Sequence, residues 1–260
     1  SADSRRTFSA SWFDDLGRTI ATANYGTNGG ADFNLSLLAT APTSGSDTAI
    51  ITRYGFDGFG RNDVVYDNKD IATRTFFDEA GRQIFVVENY TDFDPDDIAN
   101  TVGGGTNNDQ DRVTGYVYND AGMMSQLAAY NPGQANQVTQ YIYAVDLTNS
   151  FGSPVPDGSM LRATIYPDSD DEVVSGSLDD GADEAFDRVE NTYLANGAVA
   201  TSTDQRGVVH SYSYDNLGRM LTDTVTDLGR SAENVDGSVR RIERAYDTQG
   251  RLLTLTSYDA

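Results

Sequence analysis

The sequence predicts an all-β fold made of antiparallel β-hairpins. Three observations predict it: a six-residue turn motif recurs, runs of alternating residues flank it, and Gly is abundant (25) while Pro is scarce (6). Tight turns need Gly where φ is positive, and period-two alternation is typical of strands. The 260 residues suffice for a sizeable core, and no shift in composition marks a boundary, so we predict one repeat domain over residues 1–260.

The motif consists of an aromatic residue, Asp, two variable residues, Gly and Arg. Five copies are complete, and their Asp, Gly and Arg residues are Asp14, Gly17, Arg18, Asp57, Gly60, Arg61, Asp78, Gly81, Arg82, Asp215, Gly218, Arg219, Asp247, Gly250 and Arg251. Two eroded copies begin at Tyr118 and Tyr193, and we interpret Tyr141 and Tyr143 as opening a copy whose turn is replaced by a longer loop to Gly158. The shortest spacing between motif glycines is 21 residues, the length of one hairpin plus its connection.

The chemistry of the motif predicts a tight turn between two strands. Val208–Tyr214, which precedes the fourth complete copy, alternates as a strand does. The motif Asp can accept backbone N–H groups at the turn entry, and the Gly can take positive φ without a steric penalty. We expect the Asp of one hairpin to pair with the Arg of a neighbouring hairpin, and the aromatic residues to stack. The alternative is a set of independent hairpins with exposed Arg side chains.

These motifs resemble the Tyr-Asp (YD) repeats of the Rhs family, which also occur in teneurins and in shell-forming toxin components. The similarity extends from Ser9 to Tyr258 and is most specific in Tyr193–Arg219, where Asp-x-x-Gly precedes Tyr-x-Tyr-Asp-x-x-Gly-Arg. The resemblance implies a long antiparallel sheet of hairpins that spirals or curves into a shell. Since closed shells of the family are longer than 260 residues, we expect this chain to be a segment of a larger protein.

The charge of the chain excludes two classes of partner. With 18 basic and 40 acidic residues the formal net charge is −22, so the field of the protein repels nucleic acid and anionic membranes. No run of 18 apolar residues occurs, and we therefore predict no membrane insertion. The chain has no Cys, which excludes disulfides and thiolate metal sites.

Acidic segments between the motifs offer ligands for a divalent cation. The spacing in 92–97 begins like an EF-hand loop, but Asp97 takes the place of the required Gly and Gly103 that of the required Glu, so no EF-hand is predicted. An ordinary loop site for calcium stays open, and the alternative is a solvated acidic surface. We predict that no cofactor is required; the candidate calcium ligands are Asp92, Asp94, Asp96, Asp168 and Asp170.

Catalytic constellations are sparse in this sequence. His210 is the only His, and its place in an alternating strand favours a packed or edge side chain over a general base. Carboxylate pairs are no signal among 40 acidic residues, because chance alone supplies them. We therefore predict that the chain is not an enzyme.

The leading functional hypothesis is a structural or encapsulating repeat scaffold of a large secreted or cell-surface protein. Its partners would be other repeats of the same parent chain, or further copies of itself. One alternative is an adhesion module that binds glycans or proteins through exposed Tyr residues and Trp12. Another is a fibre-forming segment, since uncovered sheet edges can pair end to end.

Overall fold

The computed structural model describes residues 6–27, 34–98, 110–131, 134–148, 157–182, 185–229 and 237–259. These residues form 18 β-strands and two short 3-10 helices, Leu35–Leu38 and Ala144–Asp146. The prediction of an all-β antiparallel fold is confirmed. None of the helices among these residues is long and apolar enough to cross a membrane.

The strands are short and follow one another at hairpin spacing. Their bounds are β1 (Phe8–Phe13), β2 (Thr19–Gly26), β3 (Ile50–Phe56), β4 (Asn62–Tyr66), β5 (Ala72–Phe77), β6 (Gln83–Glu88), β7 (Arg112–Tyr118), β8 (Met124–Ala129), β9 (Gln137–Tyr143), β10 (Leu161–Ile165), β11 (Glu172–Val174), β12 (Ser177–Asp179), β13 (Val189–Tyr193), β14 (Val199–Thr203), β15 (Val208–Tyr214), β16 (Met220–Leu228), β17 (Arg241–Tyr246) and β18 (Leu252–Tyr258). Sixteen of them form one sheet in sequence order, from β1 to β18, while β11 and β12 form a separate hairpin. Apart from β10, which pairs with β13, each strand of the large sheet therefore pairs with the next strand in the chain.

Contacts group the chain into two compact units. One unit comprises Ser1–Tyr116 with Ala128–Gln137, and the other comprises Val117–Leu127 with Val138–Ala260. The first unit contains two clusters of buried residues, Trp12, Ala21, Ala23 and Ile51, and Val87, Phe93 and Val113. The second unit contains a cluster formed by Ile142, Ala163 and Ile165. A single domain over residues 1–260 stays a prediction.

The buried clusters follow from the alternation along the strands. In β2, Ala21 and Ala23 are buried, whereas Thr22 and Asn24 point to the other face. Trp12 is buried as well, and its indole Nε1 donates a hydrogen bond to the carbonyl of Leu38 at 3.0 Å. The expectation that Trp12 is an exposed ligand-binding residue was therefore wrong, because its ring completes a core cluster.

One register recurs at six of the places where the first strand of a hairpin pairs with the second strand of the hairpin before it. We call this contact between consecutive hairpins a junction. In six junctions, the third residue after the motif Arg position pairs with the third residue before the next motif aromatic. These pairs are Ala21 with Arg53, Val64 with Arg74, Phe85 with Gly115, Ala163 with Glu190, Thr201 with Ser211, and Thr222 with Glu243.

Candidate functional site: the repeat turns and their junctions

Each complete motif folds into the same hydrogen-bonded turn, for which Asp215 serves as the example. Its backbone N–H donates to the carbonyl of Arg219 at 2.9 Å, and the N–H of Gly218 donates to the carbonyl of Asp215 at 3.0 Å. Gly218 has φ of +78°, a value that Gly adopts without a Cβ penalty. This is a turn closed by a left-handed residue with a bulge, a common hairpin connection.

The Asp side chain organises the turn from inside. Oδ1 of Asp215 accepts from the backbone N–H groups of Leu217 and Arg219, both at 2.9 Å, and Oδ2 accepts from Nε of Arg219 at 2.7 Å. In the other four complete copies, the Arg Nε to Asp Oδ2 distance is 2.6–2.7 Å. The expected pairing of an Asp with the Arg of a neighbouring hairpin was therefore wrong. The ion pair closes within one turn because Asp and Arg, four residues apart, face each other across the bulge.

These hydrogen bonds favour the ionised form of the motif Asp. The backbone N–H of the motif Arg is the largest cause that lowers the pKa of Asp14, Asp78, Asp215 and Asp247 below its ordinary value. At Asp57, partial burial raises the pKa, but the hydrogen bonds and charge of Arg61 outweigh it and the net shift is also downward. The turns therefore keep their ion pairs at neutral pH.

The motif Arg also reaches across the junction to the next hairpin. The guanidinium carbon of Arg18 lies 4.3 Å from the ring centre of Phe56, that of Arg61 lies 4.4 Å from Phe77, and that of Arg219 lies 4.6 Å from Tyr246. A guanidinium over an aromatic face is attracted by the ring quadrupole. The Arg is thus held by its own turn and covers the aromatic residue of the following turn.

A second contact crosses the junction where the motif aromatic is Tyr. The hydroxyl donates to the carbonyl of the residue that follows the preceding motif Arg position. The four pairs are Tyr143 to Met124 (3.0 Å), Tyr193 to Leu161 (2.6 Å), Tyr214 to Val199 (2.9 Å) and Tyr246 to Met220 (2.9 Å). Burial is the largest cause that raises the pKa of Tyr143, Tyr193 and Tyr214, so these hydroxyls stay protonated and able to donate.

Turns that depart from the motif keep the backbone hydrogen bond that closes the turn. Asn119 replaces Asp and still accepts the N–H of Met123 through Oδ1, at 3.0 Å. The loop after Tyr143 also closes at the motif position, since the N–H of Ala144 donates to the carbonyl of Met160 at 2.9 Å. Met160 occupies the place of Arg there. The eroded copies therefore preserve the register after losing individual motif residues.

The opposite ends of the strands contain two further turns of this type. Asp67 accepts the N–H groups of Lys69 and Ile71, at 2.7 and 2.9 Å, and Asp70 takes the left-handed position with φ of +65°. Asp204 accepts the N–H groups of Arg206 and Val208, both at 2.9 Å. Neither of these turns was identified from the sequence, because Asp70 stands where the motif has Gly and Val208 stands where it has Arg.

We expect Arg219→Ala to lower the melting temperature by about 2–4 °C, because it uncovers Tyr246 and removes a guanidinium–ring contact. Arg251→Ala is the matched control, since Arg251 makes the same 2.7 Å contact with its own Asp247. Its effect should stay below about 1 °C, as surface ion pairs contribute little. Differential scanning calorimetry measures both. Equal decreases in melting temperature for the two variants would show that the stabilisation comes from the contact within the turn and not from the contact across the junction.

No protein-family model matches the chain, and no curated protein matches it. Several solved structures do. The crystal structure of TcdB2-TccC3-TEV has 16% identity and a TM-score of 0.38, covering 95% of this chain and 13% of that one. TcdB2-TccC3 has 14% identity and a TM-score of 0.33, covering 95% and 13%. The chain thus spans about an eighth of the length of these structures, and the function proposed below rests on the repeat geometry.

The calcium candidates separate into two loops. Asp92, Asp94 and Asp96 are exposed, and Oδ1 of Asp94 accepts the N–H of Asp96 at 2.9 Å, a local turn. Asp168 is also exposed. Among the described residues, the carboxylates that approach one another belong to Asp170, Asp171 and Asp187, with one oxygen of each within 4.8 Å of the others. Asp170 was thus a predicted candidate, whereas Asp171 and Asp187 were missed as ligands; calcium binding stays a prediction.

Asp171 lies beside a buried Arg. Nη1 of Arg188 lies 2.9 Å from Oδ2 of Asp171 and 2.7 Å from Oδ1 of Asp180, and Nη2 lies 3.2 Å from Oε2 of Glu190. Oδ1 of Asp171 is buried and has no hydrogen-bond partner among the described protein groups. Burial is the largest cause that raises the pKa of Asp171, and it outweighs the lowering effect of Arg188.

His210 lies in mid-strand, as expected from the alternation. Its Nδ1 lies 2.7 Å from Oδ1 of Asp223, and its ring stacks on Tyr212 with 6.2 Å between ring centres. The side chain is partly exposed. These contacts suit a structural cross-strand pair between β15 and β16, in which His210 and Asp223 lie on adjacent strands.

Proposed function

We propose that the chain is a non-catalytic structural scaffold, a wall of hairpin repeats in a large secreted or cell-surface protein. The observation that carries the proposal is the uniform junction: six junctions share one register, although several have lost motif residues. Solenoid-like proteins derive their stability from contacts between neighbouring units. A scaffold of this kind is expected to use its recurring residues for contacts between neighbouring hairpins.

The position of the motif aromatics supports a scaffold over an adhesion module. Rings that stack on sugars must present a free face to solvent. Here a guanidinium covers the rings of Phe56, Phe77 and Tyr246, and the hydroxyls of the Tyr residues are engaged by backbone carbonyls. These rings are therefore engaged in contacts between hairpins.

The adhesion alternative rests on the tips of the turns. Phe59 is 89% exposed at the third position after its motif aromatic, and Leu217 is exposed at the equivalent position of another turn. Exposed aromatic rings are typical anchors for glycans and proteins. Phe59 is therefore the residue on which a binding function would depend.

The two functions are separated by a glycan array probed with the fluorescently labelled chain. A scaffold predicts no glycan that binds with a dissociation constant below about 1 mM. A glycan hit that Phe59→Ala abolishes and Leu217→Ala leaves intact would overturn the scaffold in favour of adhesion. Leu217→Ala is the matched control because it removes an apolar side chain from the same turn position.

A further inference from the structure

We propose that the second compact unit binds one calcium ion at the base of the hairpin of β11 and β12, through the carboxylates of Asp170, Asp171 and Asp187. This site keeps Asp170 from the candidates that the sequence supplies and adds two ligands that only the structure reveals. The proposal goes beyond the scaffold function, because a wall of hairpin repeats does not require an ion.

The three carboxylates lie where the chain leaves the large sheet and returns to it. Asp170 and Asp171 lie between β10 and β11, and Asp187 lies between β12 and β13. One oxygen of each lies within 4.8 Å of the others. Calcium–oxygen distances are about 2.3–2.6 Å, so ligands on opposite sides of the ion are about 5 Å apart. The spacing is therefore that of oxygen atoms around one calcium ion, within reach of small side-chain rotations.

Asp171 supplies an oxygen atom that no described protein group satisfies. Its side chain is fully buried, and Oδ2 accepts hydrogen bonds from Nη1 of Arg188 at 2.9 Å and from the backbone N–H of Asp187 at 3.3 Å. Oδ1 is buried too, but it has no hydrogen-bond partner among the described groups. Buried carboxylate oxygens are normally paired or bound to a metal. A cation between the three carboxylates would supply the missing contact.

The charges around this carboxylate are unbalanced. Arg188 contacts the carboxylates of Asp171, Asp180 and Glu190. Asp170 and Asp187 bring two further carboxylates to Asp171. Five carboxylates thus share one guanidinium within this group, which leaves a formal excess of four negative charges. A divalent ion would halve this excess and reduce the repulsion between the carboxylates.

Neighbouring groups fix the orientation of all three carboxylates. Oδ2 of Asp170 accepts the backbone N–H of Ala182 at 2.7 Å. The hydroxyl of Ser169 donates to Oδ1 of Asp187 and accepts the backbone N–H of Asp171 at 3.1 Å. A carboxylate has about four lone-pair sites, so these contacts hold the groups in place and still permit a metal to bind.

The donor atoms of the site select a hard cation. All three ligands are carboxylates, the chain has no Cys, and its single His lies in β15. Carboxylate oxygens favour calcium, magnesium or manganese, whereas zinc and copper prefer nitrogen and sulfur. Magnesium requires a nearly ideal octahedron, while calcium accepts six to eight oxygen atoms in irregular geometry. Calcium therefore fits ligands that two separate segments already hold in place, and water would complete its coordination.

The ion would attach the base of a hairpin whose tip is already held. At the tip, the backbone N–H of Thr148 donates to the carbonyl of Gly176 at 2.9 Å. Between tip and base, Val173 and Leu178 pack against the buried cluster of the second unit. At the base, the segments before β11 and after β12 present carboxylates that repel each other. Calcium would thus join the two segments at the position where the hairpin is held least well.

Isothermal titration calorimetry of the chain, stripped of metal with a chelator, tests the site. We expect one calcium ion to bind with a Kd below about 1 mM, as in extracellular calcium modules, and magnesium to bind about tenfold more weakly. Asp170→Asn and Asp187→Asn should each weaken calcium binding about tenfold or more, because each removes a charged ligand. Asp168→Asn is the matched control. It lies in the same loop, is exposed and is outside the cluster, so the Kd should change less than about twofold.

A variant with the opposite effect tests the contact with Asp171. Arg188→Ala removes the cation that lies 2.9 Å from Asp171, so calcium should bind this variant about threefold or more tightly than it binds the natural chain. The titration is made at a temperature at which circular dichroism shows the variant to be folded. An unchanged or weaker affinity would exclude Asp171 as a ligand.

Limited proteolysis measures the effect of the ion on the hairpin. Calcium should slow cleavage within residues 168–187 about threefold or more relative to chelator, because it closes the base of the hairpin. Asp170→Asn should remove this protection, and Asp168→Asn should keep it.

The proposal is overturned if calcium gives neither heat nor protection from proteolysis up to about 5 mM. It is also overturned if calcium binds equally well to both Asn variants of the cluster, because the ion then lies elsewhere on the acidic surface. Neither result bears on the scaffold function, which the glycan array tests separately.

Discussion

Arg188→Ala is expected to lower the free energy of unfolding by about 3–5 kcal/mol, because removing one partner of a buried ion pair leaves an uncompensated charge. The side chain of Arg188 is 7% exposed and that of Asp171 is fully buried, with 2.9 Å between Nη1 of Arg188 and Oδ2 of Asp171. Three carboxylates share this guanidinium, so its loss removes the positive charge that all three contact.

Urea denaturation followed by circular dichroism measures this effect, with Arg206→Ala as the control. Arg206 makes a 3.3 Å contact with Asp204 at the surface, so its loss should cost less than about 1 kcal/mol. The cost of Arg188→Ala should shrink as the pH falls through the raised pKa of Asp171. Burial already raises the pKa of Asp171, and the variant loses the guanidinium that opposes this shift. Protonation then removes the buried charge. A pH-independent cost, or one below about 1 kcal/mol, would contradict this explanation.

Phe93→Ala is expected to cost about 3–5 kcal/mol, because it leaves a cavity in a packed aromatic cluster. Phe93 is buried in the acidic segment 92–97 and makes edge-on contacts with Phe76 and Phe85, with 5.5 and 5.3 Å between ring centres. The ring ties this segment to the sheet, next to Val87 and Val113 of the same cluster.

Asp96→Ala is the control for Phe93→Ala. It lies in the same segment, is exposed, and should change the free energy of unfolding by less than about 0.5 kcal/mol. Equilibrium denaturation and the rate of limited proteolysis within 92–97 report on the two variants. A small loss for Phe93→Ala with unchanged proteolysis would mean that the segment is held by its polar contacts. The buried carboxylate of Asp111, which accepts the N–H of Thr91 at 2.8 Å, would then be the anchor.

The turns could be predicted from the sequence because their chemistry is local. Asp215, Gly218 and Arg219 lie within five residues of one another, so their roles follow from backbone hydrogen bonding and positive φ alone. The partner of each Arg across the junction could not be predicted, because it depends on the register between hairpins. Period-two alternation sets the face of a side chain but not its partner on the next strand.

In the acidic loops, the sequence likewise does not reveal which carboxylates lie close enough to bind one cation. Asp92, Asp94 and Asp96 were predicted from their spacing, yet the buried residue of their segment is the apolar Phe93 between them. Asp170 is joined by Asp187, which is 17 residues away in sequence. The hairpin of β11 and β12 lies between Asp170 and Asp187 in the sequence. The positions of acidic residues along the chain do not reveal that this hairpin brings the two carboxylates together.

The pairing of each strand with its neighbour in the chain bears on how the protein is made. Apart from the step over β11 and β12, every strand of the large sheet finds its partner in the next strand of the sequence. Contacts between residues near in sequence speed folding, and repeat proteins can nucleate at one unit and grow from it. A hairpin leaving the ribosome can therefore dock on the one made just before it, without waiting for distant segments. Synthesis and assembly of the sheet would then advance together, one hairpin at a time.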